Sequence, residues 1–240
     1  MVDLFAQVDG SVKTDGTIVT EADMRINRMV IDAVKTSYPD YSVLGEEESY
    51  MSSQNLGIWV CDPIDGTLPY SLGVPTSVFS LSLLDGNGMP IVAVVYDPFL
   101  EKIYWATKNG GAFENGLPLQ VSSTKGLKKA LIGNSGRSST IVDAPRFKAY
   151  LYAHCHRPVV LHSFIYEAML VASGKIAATV MTGSGAYDAA SVKLIVEEAG
   201  GKVTDLFGEE QRYDRQIKGA IASNSSIHQE IVAIALRHRL

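Results

Sequence analysis

The sequence predicts an α/β protein whose first half is built on antiparallel strands and whose second half alternates strands with helices. Two stretches carry that expectation. In residues 76–84, "TSVFSLSLL", Phe79, Leu81 and Leu83 alternate with polar neighbours, and "DGNG" at 85–88 turns the chain into the returning run "IVAVVY", the pattern of a β-hairpin. From residue 130 the rhythm changes. "ALIGN", "KIAATVM", "KVTDL" and "GAIAS" read as strands, interleaved with the helical "SFIYEAMLVAS" and "YDAASVKLIVEEA". Helices alternating with strands imply a sheet covered by helices.

In chain order, the first strong element is a helix over Glu21–Ser37. Ile26, Met29, Val30, Ala33 and Val34 recur at helical spacing as an apolar stripe, Thr20 is placed to cap it, and "SYPD" stops it at Pro39. The acidic loop "LGEEES" follows, then "GIWVC" as a short buried strand, then the hairpin, then "KIYWAT" before the glycine pair at 110–111. In the second half Gly174 closes one helix and Gly200-Gly201 the next, and a last helix starts near Ser226. The expected unit is a single domain over 1–240, with subdomains 1–122 and 123–240 meeting near residues 121–125.

Composition narrows the function. The chain has 240 residues, 46% of them hydrophobic, and a net charge of −5 with no long run of either sign. That argues against nucleic-acid binding, and an anionic ligand would need cations or backbone N–H groups to hold it. The two cysteines, Cys61 and Cys155, form no disulfide framework and suit a reduced compartment. The opening "MVDLFAQVDG" lacks the basic and apolar regions of a signal peptide, and no apolar run approaches the roughly 18 residues of a membrane span. The expectation is a soluble cytoplasmic protein with no membrane partner.

The stretch that points to chemistry is "WVCDPIDGTLPY", residues 59–70. A strand that ends in Asp-Pro-Ile-Asp delivers Asp62 and Asp65 to one place, with a proline stiffening the gap. Hard divalent cations such as Mg²⁺ take oxygen ligands, commonly one or two carboxylates with waters and substrate phosphate. Gly66 and Thr67 follow at once, and if a helix begins there, their N–H groups suit a phosphate. The plainer reading is an Asp-rich turn that caps a helix.

Taken together, "VTEAD" at 19–23, "GEEE" at 45–48, "DPIDGT" at 62–67, "GGAFENG" at 110–116, "AYDAAS" at 186–191 and "EEAGGKVTD" at 197–205 resemble the inositol monophosphatase family. The match runs in order along nearly the whole chain. The resemblance implies a layered αβαβα sandwich, Mg²⁺-dependent hydrolysis of the phosphate monoester of a small metabolite, and a homodimer. It implies a first metal held by Glu46, Asp62 and the carbonyl of Ile64, and a second held by Asp62, Asp65 and Asp188. A third, looser Mg²⁺ would lean on Glu46 through water. Thr67 would donate to phosphate or water, with Asp23 polarising its hydroxyl, and Gly66 would help hold phosphate. Two or three Mg²⁺ ions would lower the pKa of a bound water and stabilise the leaving oxygen. Lithium inhibition is a further implication.

Several of these residues also fit plainer roles. Thr20 with Asp23 makes a helix capping box. The three glutamates fit a solvated loop, and Asp188 opens the expected helix, where an acidic group suits the macrodipole. Cys61 fits a small core residue, and His154 and His156 have weak metal spacing.

The chain also departs from the family pattern. Only about 19 residues precede Thr20, so the family's long first helix is short or missing, which would expose part of the sheet. Leu68-Pro69-Tyr70 and "HSFI" at 162–165 replace the usual residues of the substrate wall. Inositol-preferring relatives carry an acidic residue seven positions before the Asp of the third motif; here Met181 stands there, and a thioether is a weak acceptor for a polyol. Met181, His162, Phe164 and Tyr187 are therefore the expected substrate-facing residues, and they favour a flatter or less hydroxylated leaving group or a short-chain phosphate, with a broad, low-selectivity phosphatase equally compatible; the plainer reading of Met181 is that it only packs in its strand. Substrates weighed beside inositol and sugar phosphates are 3'-phosphoadenosine 5'-phosphate, fructose-1,6-bisphosphate and histidinol phosphate. A haloacid-dehalogenase-type phosphatase is a rival on "DGTL", but it needs Asp-x-Asp, whereas Asp62 and Asp65 are three apart. A non-catalytic metal-binding relative is the other alternative.

Overall fold

The computed structural model describes residues 1–7, 10–13, 16–136 and 139–240. A small ribbon of β1 (Ser11–Val12) and β2 (Ile18–Val19) leads into helix α1 (Glu21–Ser37). A seven-stranded sheet follows, in the spatial order β3 (Ser42–Gly45), β4 (Ile58–Asp65), β5 (Val78–Leu84), β6 (Pro90–Asp97), β7 (Lys102–Thr107), β8 (Gly111–Glu114) and β9 (Leu117–Pro118). The short helix α2 (Thr67–Ser71) lies between β4 and β5. All neighbours in this sheet are antiparallel except β3 and β4, which run parallel.

The second sheet has five strands: β10 (Leu131–Ser135), β11 (Arg157–Val159), β12 (Ala178–Met181), β13 (Lys202–Thr204) and β14 (Ala220–Ser223). Their spatial order is β11-β10-β12-β14-β13. Helices α3 (Ala144–His154), α4 (Phe164–Ala172), α5 (Ala190–Glu198) and α6 (His228–Arg237) complete the chain. Helix α1 covers β3 and β4 on one face of the large sheet, and α5 packs against β5 to β8 on the other while also touching β13 and β14. Helices α4 and α5 form the middle layer, and α3 packs on α6 against the far face of the second sheet. The expected αβαβα layering is present.

The alternation in β5 has a finding attached. Ser80 and Ser82 are buried with Val78 and Leu84, facing the middle layer, while Phe79, Leu81 and Leu83 are half-buried. Ser80 donates to Ser191 on α5 at 2.7 Å. Small side chains at this seam let helix and sheet approach closely, and the Ser80 and Ser191 hydroxyls satisfy each other.

The apolar stripe expected on α1 overlaps its packing face only in part, through the buried Val34 and the half-buried Ile26 and Val30. Ile31 and Val34 bury against Val43 and Cys61, with Ala22, Asp23 and Asn27 also buried, whereas Met29 is 70% exposed. The buried arc includes polar residues, so apolar periodicity alone picked out its neighbour. Ile26, Met29, Val30 and Ala33 instead line an open groove of about 610 Å³, floored by Trp59 and Phe79 on the outer sheet face. Before β1, the described residues form a single 3₁₀ turn, Val2–Leu4, and Met1 and Val2 border the same groove. The N-terminal segment is tied to α2: Tyr70 donates to the Met1 carbonyl at 2.5 Å, and Phe5 lies between the rings of Tyr70 and Phe99 at 5.6 and 4.5 Å.

Other elements differ from expectation. Strand β3, helix α3 and strand β11 are elements that the sequence pattern does not predict. Helix α3 starts on Ala144-Pro145, is capped by Asp143, and has a mixed apolar pattern; β11 is three residues containing a proline, which suits only a sheet edge. Helix α5 begins at Ala190, so Asp188 precedes the helix by two residues and does not open it. Phe164 is 2% exposed and lies in the core rather than on a substrate surface. Among the described residues no helix is long and apolar enough to cross a membrane.

Candidate metal centre

Parallel pairing of β3 with β4 sets Gly45 beside Cys61, so the residues that follow this pair, Glu46 just beyond β3 and Asp62 within β4, come side by side. The Glu46 N–H closes this corner by donating to the Cys61 carbonyl at 3.1 Å. Gly45 has no room for a side chain: an added Cβ would lie 2.3 Å from Asn27 Oδ1 and 2.4 Å from the Glu48 carbonyl.

The motif "DPIDGT" then bends the strand. Asp62 pairs with Ser80 and Asp65 with Val78, so three steps on β4 oppose two on β5. This β-bulge adds one residue, which re-aims side chains next to it. Asp62 and Asp65 are joined by Asp188, from the turn before α5, with one ligand oxygen of each within 4.8 Å of the others. Glu46 is electrostatically coupled to this group.

The electrostatics are those of a site made for cations. Burial, then repulsion from Glu46 and Asp65, pushes Asp62 and Asp188 well above the usual carboxylate range. Burial raises Glu46 to about 7, against the lowering effect of Lys13. Asp65 rises only to about 6, because Ser163 Oγ and the N–H of Ile165 both donate to its Oδ2 at 2.6 Å. Asp62 is 1% exposed, and neither of its oxygens has a hydrogen-bond partner among the described residues. Unpaired buried carboxylates are costly. A cluster of hard oxygen donors with such an orphan at its centre fits Mg²⁺.

Thr67 and Asp23 flank the cluster. The Thr67 hydroxyl lies 3.0 Å from the Ile64 carbonyl and 3.3 Å from Asp23 Oδ1, both acceptors. Asp23 Oδ2 accepts from the N–H and hydroxyl of Thr20 at 2.8 and 2.5 Å. The capping role and the contact to Thr67 therefore coexist on one carboxylate. Gly66 holds φ +86° at the start of α2, a backbone that L side chains rarely adopt.

One residue at the cluster escaped the sequence reading. Lys13, in the turn between β1 and β2, donates to Glu46 at 2.9 Å and to Glu47 at 2.6 Å. No local pattern marks this lysine, because only the β1–β2 ribbon brings it back to the acidic loop. Glu47 is thereby ion-paired, and Glu48 turns outward to Arg28 at 2.7 Å. Cys61 is fully buried, and burial pushes its thiol well up, away from nucleophile chemistry.

The expected substrate residues lie in different settings. His162 is exposed and held at φ +58°, immediately before Ser163. Tyr187 is partly buried beside Asp188, and an added Cβ at Gly185 would meet both Asp188 Oδ2 and the Tyr187 ring near 2.6 Å. Met181 is 3% exposed at the end of β12, paired with Ser135 and Ala220 and packed in the same core cluster as Phe164, so it too lies in the core rather than on a substrate surface.

Comparison with known proteins bears on this site. The chain is 32% identical over 232 residues to a fructose-1,6-bisphosphatase/inositol-1-monophosphatase of Thermotoga maritima, covering 96% of this chain and 88% of that protein. It is 31% identical over 231 residues to a histidinol-phosphatase of Chlorobaculum parvum, covering 92% and 84% respectively. The solved structure of a Thermotoga maritima IMPase superposes with a TM-score of 0.88 at 30% identity, over 98% of this chain and 91% of that one. The profile of the inositol monophosphatase family matches residues 3–240. With its layers, its bulged acidic strand and a match that leaves out only the first two residues, this chain belongs to the inositol monophosphatase family.

Proposed function

We propose that the phosphomonoesterase chemistry of the family is performed in this chain by Glu46, Asp62, Asp65, Asp188 and the Ile64 carbonyl as ligands for two or three Mg²⁺ ions, with Thr67 and Asp23 beside them. The observation that carries this reading is Asp62, buried with two unpartnered oxygens and surrounded by other carboxylates. Bound Mg²⁺ supplies a water of lowered pKa and stabilises the leaving oxygen. The chain's own groups do the rest. Asp23 polarises the Thr67 hydroxyl through their 3.3 Å contact. Gly66 and Thr67 offer N–H groups to the phosphate from a turn with no obstructing side chain. Ser163 and the start of α4 hold Asp65 in place.

The substrate is a small phosphorylated metabolite other than myo-inositol-1-phosphate as the dedicated one. Position 181 supports this by what it lacks: Met181 is packed in the core and offers no carboxylate to a ring hydroxyl, which leaves that hydroxyl poorly paired at a cost of roughly 1–3 kcal/mol in discrimination. The related histidinol-phosphatase and fructose-1,6-bisphosphatase/inositol-1-monophosphatase place imidazole and sugar phosphates first in the screen. The working form is a cytoplasmic homodimer, as the family resemblance implies. The test is Mg²⁺-dependent phosphate release from histidinol phosphate, fructose bisphosphate, 3'-phosphoadenosine 5'-phosphate and myo-inositol-1-phosphate, compared by kcat/KM. No release from any of them sinks the enzymatic reading, and a clear win for inositol phosphate sinks the argument from Met181. A lithium titration at saturating Mg²⁺ decides inhibition.

A further inference from the structure

The first turn of α4 orients Asp65, and a second buried carboxylate holds that turn. Glu167 on α4 is fully buried. It accepts from the Leu161 N–H at 2.9 Å, from the Thr179 hydroxyl at 2.6 Å and from the Ser135 hydroxyl at 3.3 Å. Those donors come from the segment before α4, from β12 and from β10. Strand β10 makes room for it: a Cβ at Gly133 would lie 2.6 Å from both Glu167 Oε2 and Thr179 Oγ1.

The anchored segment leads straight to the metal centre. Leu161 is held at both ends of its backbone, by Glu167 at its N–H and by the Thr76 hydroxyl, which donates to its carbonyl at 3.2 Å. His162 then takes its left-handed conformation, and Ser163 and Ile165 both donate to Asp65 Oδ2. How the carboxylate of Asp65 is turned thus depends on where the start of α4 lies.

We propose that Glu167 is a positioning residue for the metal centre, fixing the 161–165 segment so that Asp65 faces the cation. This rests on the reading of Asp65 as a Mg²⁺ ligand. A merely structural carboxylate would affect unfolding without affecting cation affinity, and that difference makes the test.

Glu167→Gln keeps the shape but leaves one acceptor oxygen for three donors. Thr179→Val removes one donor and leaves the carboxylate. Cation affinity is read directly by titrating Mn²⁺ and following the free ion by electron paramagnetic resonance, with the thermal shift given by Mg²⁺ as a second readout. The expected result is an affinity roughly tenfold weaker in Glu167→Gln, the scale for outer-shell partners of metal ligands. Thr179→Val shifts in the same direction by a smaller factor, and kcat at saturating Mg²⁺ falls less than affinity does. Glu167→Gln with wild-type affinity overturns the proposal. If that variant does not fold, Thr179→Val with unchanged affinity overturns it instead. Wild-type protein that binds no Mn²⁺ brings down the reading of the metal centre, and this inference with it.

Discussion

Thr67 and Asp23 are 44 residues apart in the chain, yet the Thr67 hydroxyl reaches Asp23 Oδ1 at 3.3 Å while Oδ2 of the same carboxylate caps α1 through Thr20. One side chain therefore fixes a helix start and contacts a hydroxyl beside the acidic cluster, the hydroxyl it polarises in the proposed mechanism. Two variants separate these tasks. Thr20→Ala costs about 1 kcal/mol of stability, the usual worth of a cap, and leaves turnover near normal. Asp23→Asn costs similar stability and lowers kcat by about a hundredfold, the scale for losing a preorganised group at a reacting centre. Urea unfolding and phosphate release on both variants check this; equal kcat in the two would refute the division.

Asp62→Asn abolishes Mg²⁺-dependent turnover, because the residue is the proposed shared ligand of two ions. The same change makes the metal-free protein more stable, since a buried, unpartnered charge among like charges is removed. Calorimetry with and without Mg²⁺ should show a higher metal-free Tm and a lost Mg²⁺ shift. A variant with near-normal turnover would sink the ligand assignment.

Stability of the metal-free protein should depend on pH in a defined direction. Glu46 is raised from 4.5 to about 7 in the folded state, and Asp62 and Asp188 also rise. The folded chain therefore binds more protons than the unfolded one between about pH 4.5 and 7. The contribution of Glu46 is complete below pH 4.5 and is lost as pH rises through 7. Mg²⁺ needs the ionised carboxylates, so the Tm increase it gives should be larger at pH 8 than at pH 5.5. A Mg²⁺ effect that is flat across that range contradicts the cluster's electrostatics.

Lys13→Met tests the ammonium that bridges Glu46 and Glu47. Removing it leaves two carboxylates facing each other without a cation. The metal-free protein should lose about 1–2 kcal/mol at pH 8, between the exposed-pair and buried-pair limits. Saturating Mg²⁺ should restore part of that loss. Chemical unfolding at two Mg²⁺ concentrations measures both, and a loss that Mg²⁺ leaves untouched argues that Lys13 acts apart from the metal centre.

Much of this architecture was legible in the sequence because local chemistry dictated it. Helix α1 has the expected bounds, since Thr20 and Pro39 punctuate it, and Asp62, Asp65 and Asp188 come together as their motifs implied. What stayed hidden depended on contacts distant in sequence. Lys13 reaches Glu46 through a ribbon of two-residue strands, too short to leave a periodic signal. Strand β3 carries four residues, too few for a periodic signal, and runs straight into the acidic Glu46–Glu48. The packed face of α1 includes Asp23 and Asn27, whose burial is set by Thr67 and the Glu48 carbonyl rather than by hydrophobicity. Phe164 stands where the family pattern has small residues, which suggests a substrate surface; the middle layer claims it instead.

The three carboxylates also hang from two different scaffolds. Asp62 and Asp65 end a strand of the seven-stranded sheet, while Asp188 follows β12 of the five-stranded one. Turnover is therefore a gauge of assembly. A backbone cut between residues 121 and 125 would divide the ligand set between two fragments, neither able to complete it. The segment at the cut is itself stitched to the second scaffold, by Val121 N–H to the Ala199 carbonyl and by Asn224 to Ser122 and the Thr124 carbonyl. Rejoined fragments would announce their docking by the return of phosphate release, so the catalytic centre doubles as a split reporter of its own fold.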